Sequence, residues 1–383
     1  MTKTKKLTFW ESVMLIAGAG IGTGIITIPY AISKIGIFGT AIALAPAYVI
    51  SILTYLILAD LVRNSTNSED LIGALNEHLF RGKGKKALSI IFFVLLAMLL
   101  LEFLVVYSLC AGDVISDLFG ISRTLSIVIF YILASLIVFF GVKGMGVGEK
   151  ISVLLIGAVV IVLTVLSFFH QNGTFGLNIG KPGTVFAVYG LFMYSMSSTF
   201  AVIQVCNHIE KPEKTGKAVV TGTAVNAAIT VVFSIAVILG SKTVTETATI
   251  GLSDGIGIPF VKVLCSVLVI GAMFTSFWSI GFAFSDVVSS QFKLDKRLSW
   301  LITTIPAVLT AILLPLSILN YVQIGAGALS IIFLIVVFPA YKHALDNPIN
   351  PPLLGKISGK WPLILIVVIG TILMAISSFV PVT

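Results

Sequence analysis

Glycine stands at every second position from Gly18 to Gly24, in the middle of an apolar stretch that begins near Thr8. In a helix interior each glycine costs roughly 1 kcal/mol relative to alanine. Four at alternate positions do not make a small-residue packing face, whose period is four. The pattern predicts a helix that breaks, or whose backbone closely approaches a ligand. A second apolar stretch has a polar centre, Met193, Tyr194, Ser195, Met196, Ser197, Ser198 and Thr199. Those hydroxyls either bond back to their own helix or mark a second break. A broken helix bares amides at one half's N-terminus, which attract anions, and carbonyls at the other half's C-terminus, which attract cations. A solute carrying carboxylate and ammonium on one carbon suits two such breaks facing each other. No phosphate-binding loop, no histidine pair at metal spacing and no nucleophile with a recognisable base accompanies them. The chemistry expected is binding and movement, driven by a gradient, and not an enzymatic reaction.

The surrounding chain must bury these breaks in lipid. It has 383 residues, 57% hydrophobic and 10% charged, with a mean hydropathy of +1.11. An ordinary soluble domain carries roughly 25% charged residues, so a water-soluble globule is excluded. Cys110, Cys206 and Cys265 are too few, and too embedded in apolar runs, for a disulfide scaffold. The net charge of +8 is scattered over short segments, which excludes a nucleic-acid-binding face. The first apolar run is long enough to span and lacks a small-residue cleavage site, so it reads as a membrane helix and not as a signal peptide.

With about 20 apolar residues per span, the chain divides into eleven: roughly 8–33, 37–61, 87–112, 124–141, 150–169, 184–206, 216–240, 258–286, 299–318, 321–341 and 361–380. Placing the N-terminus inside puts nineteen Lys and Arg on the inner side and five on the outer. That is the positive-inside pattern, and it leaves the C-terminus outside, in a multi-pass inner cell membrane protein. The longest inner connector, about Val62 to Lys86, reads as a solvated linker, with a short amphipathic helix at Leu71–Phe80 as the alternative. Residues 8–169 and 184–341 each hold five spans and each open on an unusual helix. Five is odd, so the second block is inverted relative to the first. Matched discontinuous helices in inverted halves point to a binding site near the midplane.

Gly18 to Tyr30, followed by Ala31 and Gly36, resembles the first-helix signature of the amino acid/auxin permease family. Val106 and Tyr107 followed by Ala111, Gly112 and Asp113 resemble the end of that family's third helix, and His208 to Pro212 its inner loop after helix 6. The resemblance implies the wider amino acid–polyamine–organocation superfamily. It also implies an all-α, five-plus-five inverted-repeat (LeuT-type) fold with helix 11 as an addition, in one transporter domain. Carried over by position, a substrate carboxylate meets the backbone around Gly18, Ala19, Ile21, Gly22 and Thr23. The ammonium meets carbonyls around Phe192 to Ser195, and Tyr107, Phe192, Tyr194, Ser197, Ser198 and Ser276 surround the side chain. Tyr107 equally fits a packing role; the glycines and serines suit a small or medium side chain, while Phe192, Tyr194 and Trp278 leave larger ones open.

Helix 8 carries Ala272, Thr275 and Ser276 in an arrangement that resembles the sodium site between helices 1 and 8 of this fold. There the carbonyls of Ala17, Gly20 and Ala272 and the hydroxyls of Thr275 and Ser276 would hold the ion. Some relatives instead place a helix 5 lysine there and use protons. Helix 5 here has only Lys150, at its inner end, which favours sodium. Against this stands Glu102, close to the midplane of helix 3, as a proton relay or a structural hydrogen-bond partner. Asp113, Asp117 and Lys262 read as surface anchors, and Asp286 as the partner of Lys5 or Lys6 in an inner gate. The reading is a cation-coupled symporter of neutral amino acids, with a sensor or a channel as alternatives. It needs a small amino acid, a lipid bilayer and a coupling ion; it implies no other cofactor, and a monomer suffices.

Overall fold

The computed structural model describes residues 6–22, 24–66, 71–80, 84–314, 330 and 332–382. Apolar runs of this length close all backbone hydrogen bonds internally only by winding into helices, and helices dominate. Along the chain they are α1 (Phe9–Ile21), α2 (Gly24–Ser33), α3 (Gly36–Arg63), α4 (Leu71–His78), α5 (Lys85–Phe119), α6 (Arg123–Ser135) and α7 (Gly141–Phe169). After these come α8 (Pro182–Ser195), α9 (Thr199–His208), α10 (Thr215–Gly240), α11 (Ala248–Ile256), α12 (Pro259–Phe292) and α13 (Lys296–Leu313). Two more helices, Phe338–Ala344 and Trp361–Ser377, complete the described part. Among the described residues seven helices, or eight with a bent pair, are long and apolar enough to cross a membrane.

The difference from eleven spans has local causes. The expected span 124–141 winds as α6 and then tightens into a 3₁₀ turn, Leu136–Phe140. The span at 361–380 is a 17-residue helix, apolar but short. The span at 321–341 falls largely on residues outside those described; its end is a π-helical turn, Phe333–Val337, leading into Phe338–Ala344. The inner connector is not simply a solvated linker. α4 buries Leu71, Ile72, Ala74 and Leu75, and His78 Nε2 lies 3.0 Å from Ser65 Oγ. An amphipathic stripe of four apolar residues suffices to dock it. α11, too short to register as a span, packs between α10 and α12.

The two interrupted helices sit innermost. α1 packs against α7, α10 and α12, while α2 packs against α8 and α10. α3 lies along both α8 and α9, and α5 along α12. Trp361–Ser377 rests on α3 and α8, where Tyr189 donates its hydroxyl to the Gly370 carbonyl at 2.8 Å. Large apolar side chains such as Met98, Ile161 and Ile366 point outward uncovered, as a lipid solvent allows.

Candidate functional site

α1 starts on a capping box. Thr8 donates its backbone N–H to Glu11 Oε2 at 2.8 Å, and the Glu11 N–H reaches Thr8 Oγ1 at 3.3 Å. Glu11 also pairs with Lys143 of α7, tying this end of the helix to its neighbour. α1 stops at Gly22, whose φ of +24° lies in the region L side chains avoid. α2 resumes at Gly24 with a bend of 59°. Thr23, expected at the carboxylate, lies outside the described residues. The glycines are needed for close approach as well as for the turn. A β-carbon at Gly24 would overlap the Ser195 side chain and lie 3.2 Å from its Cα, and one at Gly20 would meet Asn226 and Ser198 Oγ.

The second break spans Met196, Ser197 and Ser198, between α8 and α9. Two side chains hold it open. Tyr55 of α3 donates its hydroxyl to the Met196 carbonyl at 2.8 Å and accepts the Ser198 N–H at 3.2 Å. Ser198 Oγ donates to the Ile16 carbonyl at 2.7 Å, joining the two breaks directly. Two of the carbonyls assigned to an ammonium already accept bonds. Phe192 O takes the Met196 N–H and the Ser195 hydroxyl at 3.0 Å each, and Tyr194 O takes the Ser197 N–H at 2.9 Å.

Between the breaks lies a narrow cavity. Of the residues expected at the substrate, Ala19, Gly22, Tyr107, Tyr194, Ser195, Ser197 and Ser198 line it. Gly20, expected at the ion, lines it too. Gly18, Ile21, Phe192 and Ser276 are not in the wall; Ile21 and Phe192 are buried in the surrounding core. Trp278 is turned away, with its indole N–H on the Ala134 carbonyl at 3.0 Å. The wall also holds Gly24 and Thr199, which the sequence reading placed in the two interruptions but not at the substrate, and Phe103, Phe200, Ala201, Ser279 and Ile280, which it missed. Phe103 stacks on Tyr107 (6.3 Å between centroids, 8° between planes) and lies 5.8 Å from the Tyr194 ring. Phe103 and Tyr107 are four apart on α5, so helical spacing alone could have paired them.

Of the residues expected at the ion, Thr275 and Ser276 meet α1 at Gly18 and Ala19, while Ala17 and Gly20 face other partners. Thr275 Oγ1 reaches the Ala272 carbonyl at 2.9 Å and crosses to the Gly18 carbonyl of α1 at 3.2 Å. Ser276 Oγ lies 3.4 Å from the Ala19 carbonyl. The Ala17 carbonyl accepts the Asn226 amide at 3.2 Å. Gly20 instead faces Asn226 and Ser198. Glu102 is enclosed on α5, and neither of its carboxylate oxygens has a hydrogen-bond partner among the described residues. Asp286 has Lys296 at 3.0 Å. Lys5 lies outside the described residues, and Lys6 offers its carbonyl to Lys143. What joins the start of α1 to the end of α9 is a two-bond backbone bridge. The Leu7 N–H donates to His208 O at 2.8 Å, and the Glu210 N–H to Leu7 O at 2.9 Å. Asp113 pairs with Arg123, and Asp117 with Lys262, at exposed helix ends, as anchors do.

The fifth expected span, α7 here, differs most from expectation. Its start, placed at residue 150, lies at Gly141. Residues 142–149, left between two expected spans, wind in this helix, and two of their glycines sit where neighbours leave little room for a side chain. A β-carbon at Gly146 would overlap Leu7, and one at Gly148 would lie 3.2 Å from Trp278. Glu149 is thereby carried from a supposed loop into the interior, fully buried.

Two solved structures share this architecture. One is Mhp1, a nucleobase-cation-symport-1 family transporter, in a closed conformation with bromovinylhydantoin bound (TM-score 0.68, 13% identity, 99% of this chain and 92% of that one). The other is MhsT in complex with L-phenylalanine (TM-score 0.71, 14% identity, 98% of this chain and 100% of that one). At such identities the likeness shows the fold alone. A comparison with curated protein sequences finds no match. The family model described as the tryptophan/tyrosine permease family matches residues 4–378, nearly the whole length, and the chain belongs to that family.

Proposed function

We propose that this permease is a secondary active symporter of neutral amino acids, with aromatic ones preferred, working by alternating access. The observation that carries the reading is the cavity between the two interrupted helices, which are joined by the Ser198–Ile16 hydrogen bond. Bared peptide dipoles at a break can hold a carboxylate and an ammonium. The carboxylate is assigned to the backbone at Ala19 and Gly22, and the ammonium to the end of α8. The rings of Phe103, Tyr107, Tyr194 and Phe200 line the same cavity and suit a flat apolar side chain. The family description, and L-phenylalanine in a structure of the same fold, support that preference. The first-helix glycine motif further suggests kinship with amino acid/auxin permeases.

In this reading the halves 8–169 and 184–341 form an inverted repeat, with the N-terminus cytoplasmic and the C-terminus outside the cell. The coupling ion is a monovalent cation held where helix 1 meets helix 8. Sodium is favoured, because hydroxyls and carbonyls there supply hard oxygen donors. Uptake of L-tryptophan, L-tyrosine, L-phenylalanine and L-leucine into proteoliposomes, under imposed sodium and pH gradients in turn, tests it. Accumulation of the aromatic three under at least one gradient is the expected result. Equal, non-saturating flux of all four without a gradient would speak for a channel.

A further inference from the structure

We infer that the Glu149 carboxylate is the negative charge at the coupling-cation site, an inference that rests on the symport reading above. Glu149 is 0% exposed, and neither of its oxygens has a hydrogen-bond partner among the described residues. A β-carbon built on Gly18 would overlap Glu149 Oε2 and lie 3.2 Å from Thr275 Cβ. The carboxylate therefore converges with Thr275 on the glycine whose carbonyl accepts the Thr275 hydroxyl at 3.2 Å. The absence of a side chain at Gly18 is what lets it in.

The charged groups on the surrounding elements do not neutralise it. Lys143, on the same helix, pairs with Glu11 of α1, Lys150 is exposed, and Asp286 of α12 pairs with Lys296. An ionised carboxylate buried without a partner costs several kcal/mol even after relaxation. The closed seam of α1, α7 and α12 thus calls for one added positive charge. Sodium, shared between the carboxylate and neighbouring oxygens, and a proton on the carboxyl group satisfy this equally. An empty site favours an arrangement that admits water to Glu149, while a loaded one permits closure over the substrate. A cation that prefers one arrangement shifts the equilibrium by that preference, and this is what coupling requires.

The test uses the full chain in proteoliposomes with labelled L-tryptophan, comparing the wild type with Glu149→Gln, which keeps the shape and removes the charge. The wild type is expected to concentrate tryptophan under a sodium or a pH gradient. E149Q is expected to lose that accumulation by about tenfold or more, yet to keep tryptophan–tryptophan exchange within about twofold. The gradient whose effect disappears identifies the cation. E149Q that concentrates tryptophan as the wild type does overturns the inference. A wild type that exchanges but concentrates under neither gradient overturns the symport reading, and this inference with it. Should E149Q fail to reconstitute, carbodiimide labelling of Glu149 in the wild type decides. Labelling slowed by sodium at one fixed pH, or labelling that persists above about pH 7 where an exposed carboxylate no longer reacts, supports the site; labelling with neither property rejects it.

Discussion

Ser198, at the start of α9, donates its hydroxyl to the carbonyl of Ile16 in α1 over 2.7 Å. One side chain thus ties the first interrupted helix to the second, and a motion of either half must carry or break this bond. Both residues are buried. Ser198→Ala leaves a buried carbonyl short of a donor, which costs about 1–3 kcal/mol. The expected outcome is a lower thermal unfolding midpoint in detergent. Ser197→Ala, at a partly exposed neighbour, should shift the midpoint less.

Tyr55 serves both sides of the second break through one hydroxyl, donating to Met196 and accepting from Ser198. Tyr55→Phe keeps the ring and removes both bonds. Tryptophan affinity should fall by about tenfold, the equivalent of about 1.4 kcal/mol for one buried hydrogen bond, as read by equilibrium binding. An unchanged affinity would show that the break holds its geometry without α3.

Glycine substitutions should separate the two kinds of glycine. Gly24→Ala drives a methyl group into Ser195, including its backbone, whereas a β-carbon at Gly157 of α7 meets nothing within 4 Å. G24A is expected to abolish binding, because the two breaks must move apart. G157A should retain transport and stabilise the chain by up to ~1 kcal/mol through helix propensity. Uptake and thermal unfolding of the pair check both statements.

Thr275 reaches across to α1, while Ser276 stays near its limit of reach. If sodium drives transport, Thr275→Ala should raise the half-saturating sodium concentration by about tenfold, and Thr275→Ser should restore it, since only the hydroxyl oxygen is needed. The measurement is uptake against sodium concentration at constant ionic strength.

The bridge between Leu7 and the end of α9 depends on a donor that proline lacks. Leu7→Pro should loosen that end of the transporter. A cysteine introduced as T199C, with the three native cysteines replaced, should then react faster with a membrane-impermeant thiol reagent from that side. Equal reaction rates with and without the Leu7→Pro substitution would show that the bridge is not a gate.

The membrane class and the two breaks were legible from residue order, because each has a local cause; the meeting of α12 with α1 was only what the family resemblance implied. Lipid admits backbone only when its hydrogen bonds are closed, and alternate glycines and clustered serines mark where a helix cannot close them. Asp113, Asp117 and Lys262 were read as helix-end anchors for the same reason, since ends of spans meet water; the pairing of Asp113 with Arg123 and of Asp117 with Lys262 came only from the fold.

What the order of residues could not reveal is which distant side chains complete those breaks. Tyr55 lies 141 residues from Met196, and Gly18 lies 131 from Glu149. Nothing local in Tyr55 distinguishes it from a packing tyrosine, and Glu149, beside Lys150 and after three glycines, reads as loop. Only the packing of α3 on α8 and α9, and of α7 on α1 and α12, decides that these groups face the breaks. Helical winding and burial in lipid follow from composition over some twenty residues. The partner of a buried polar atom is set by how whole helices cross, which depends on every packed contact along them and is written in no single segment.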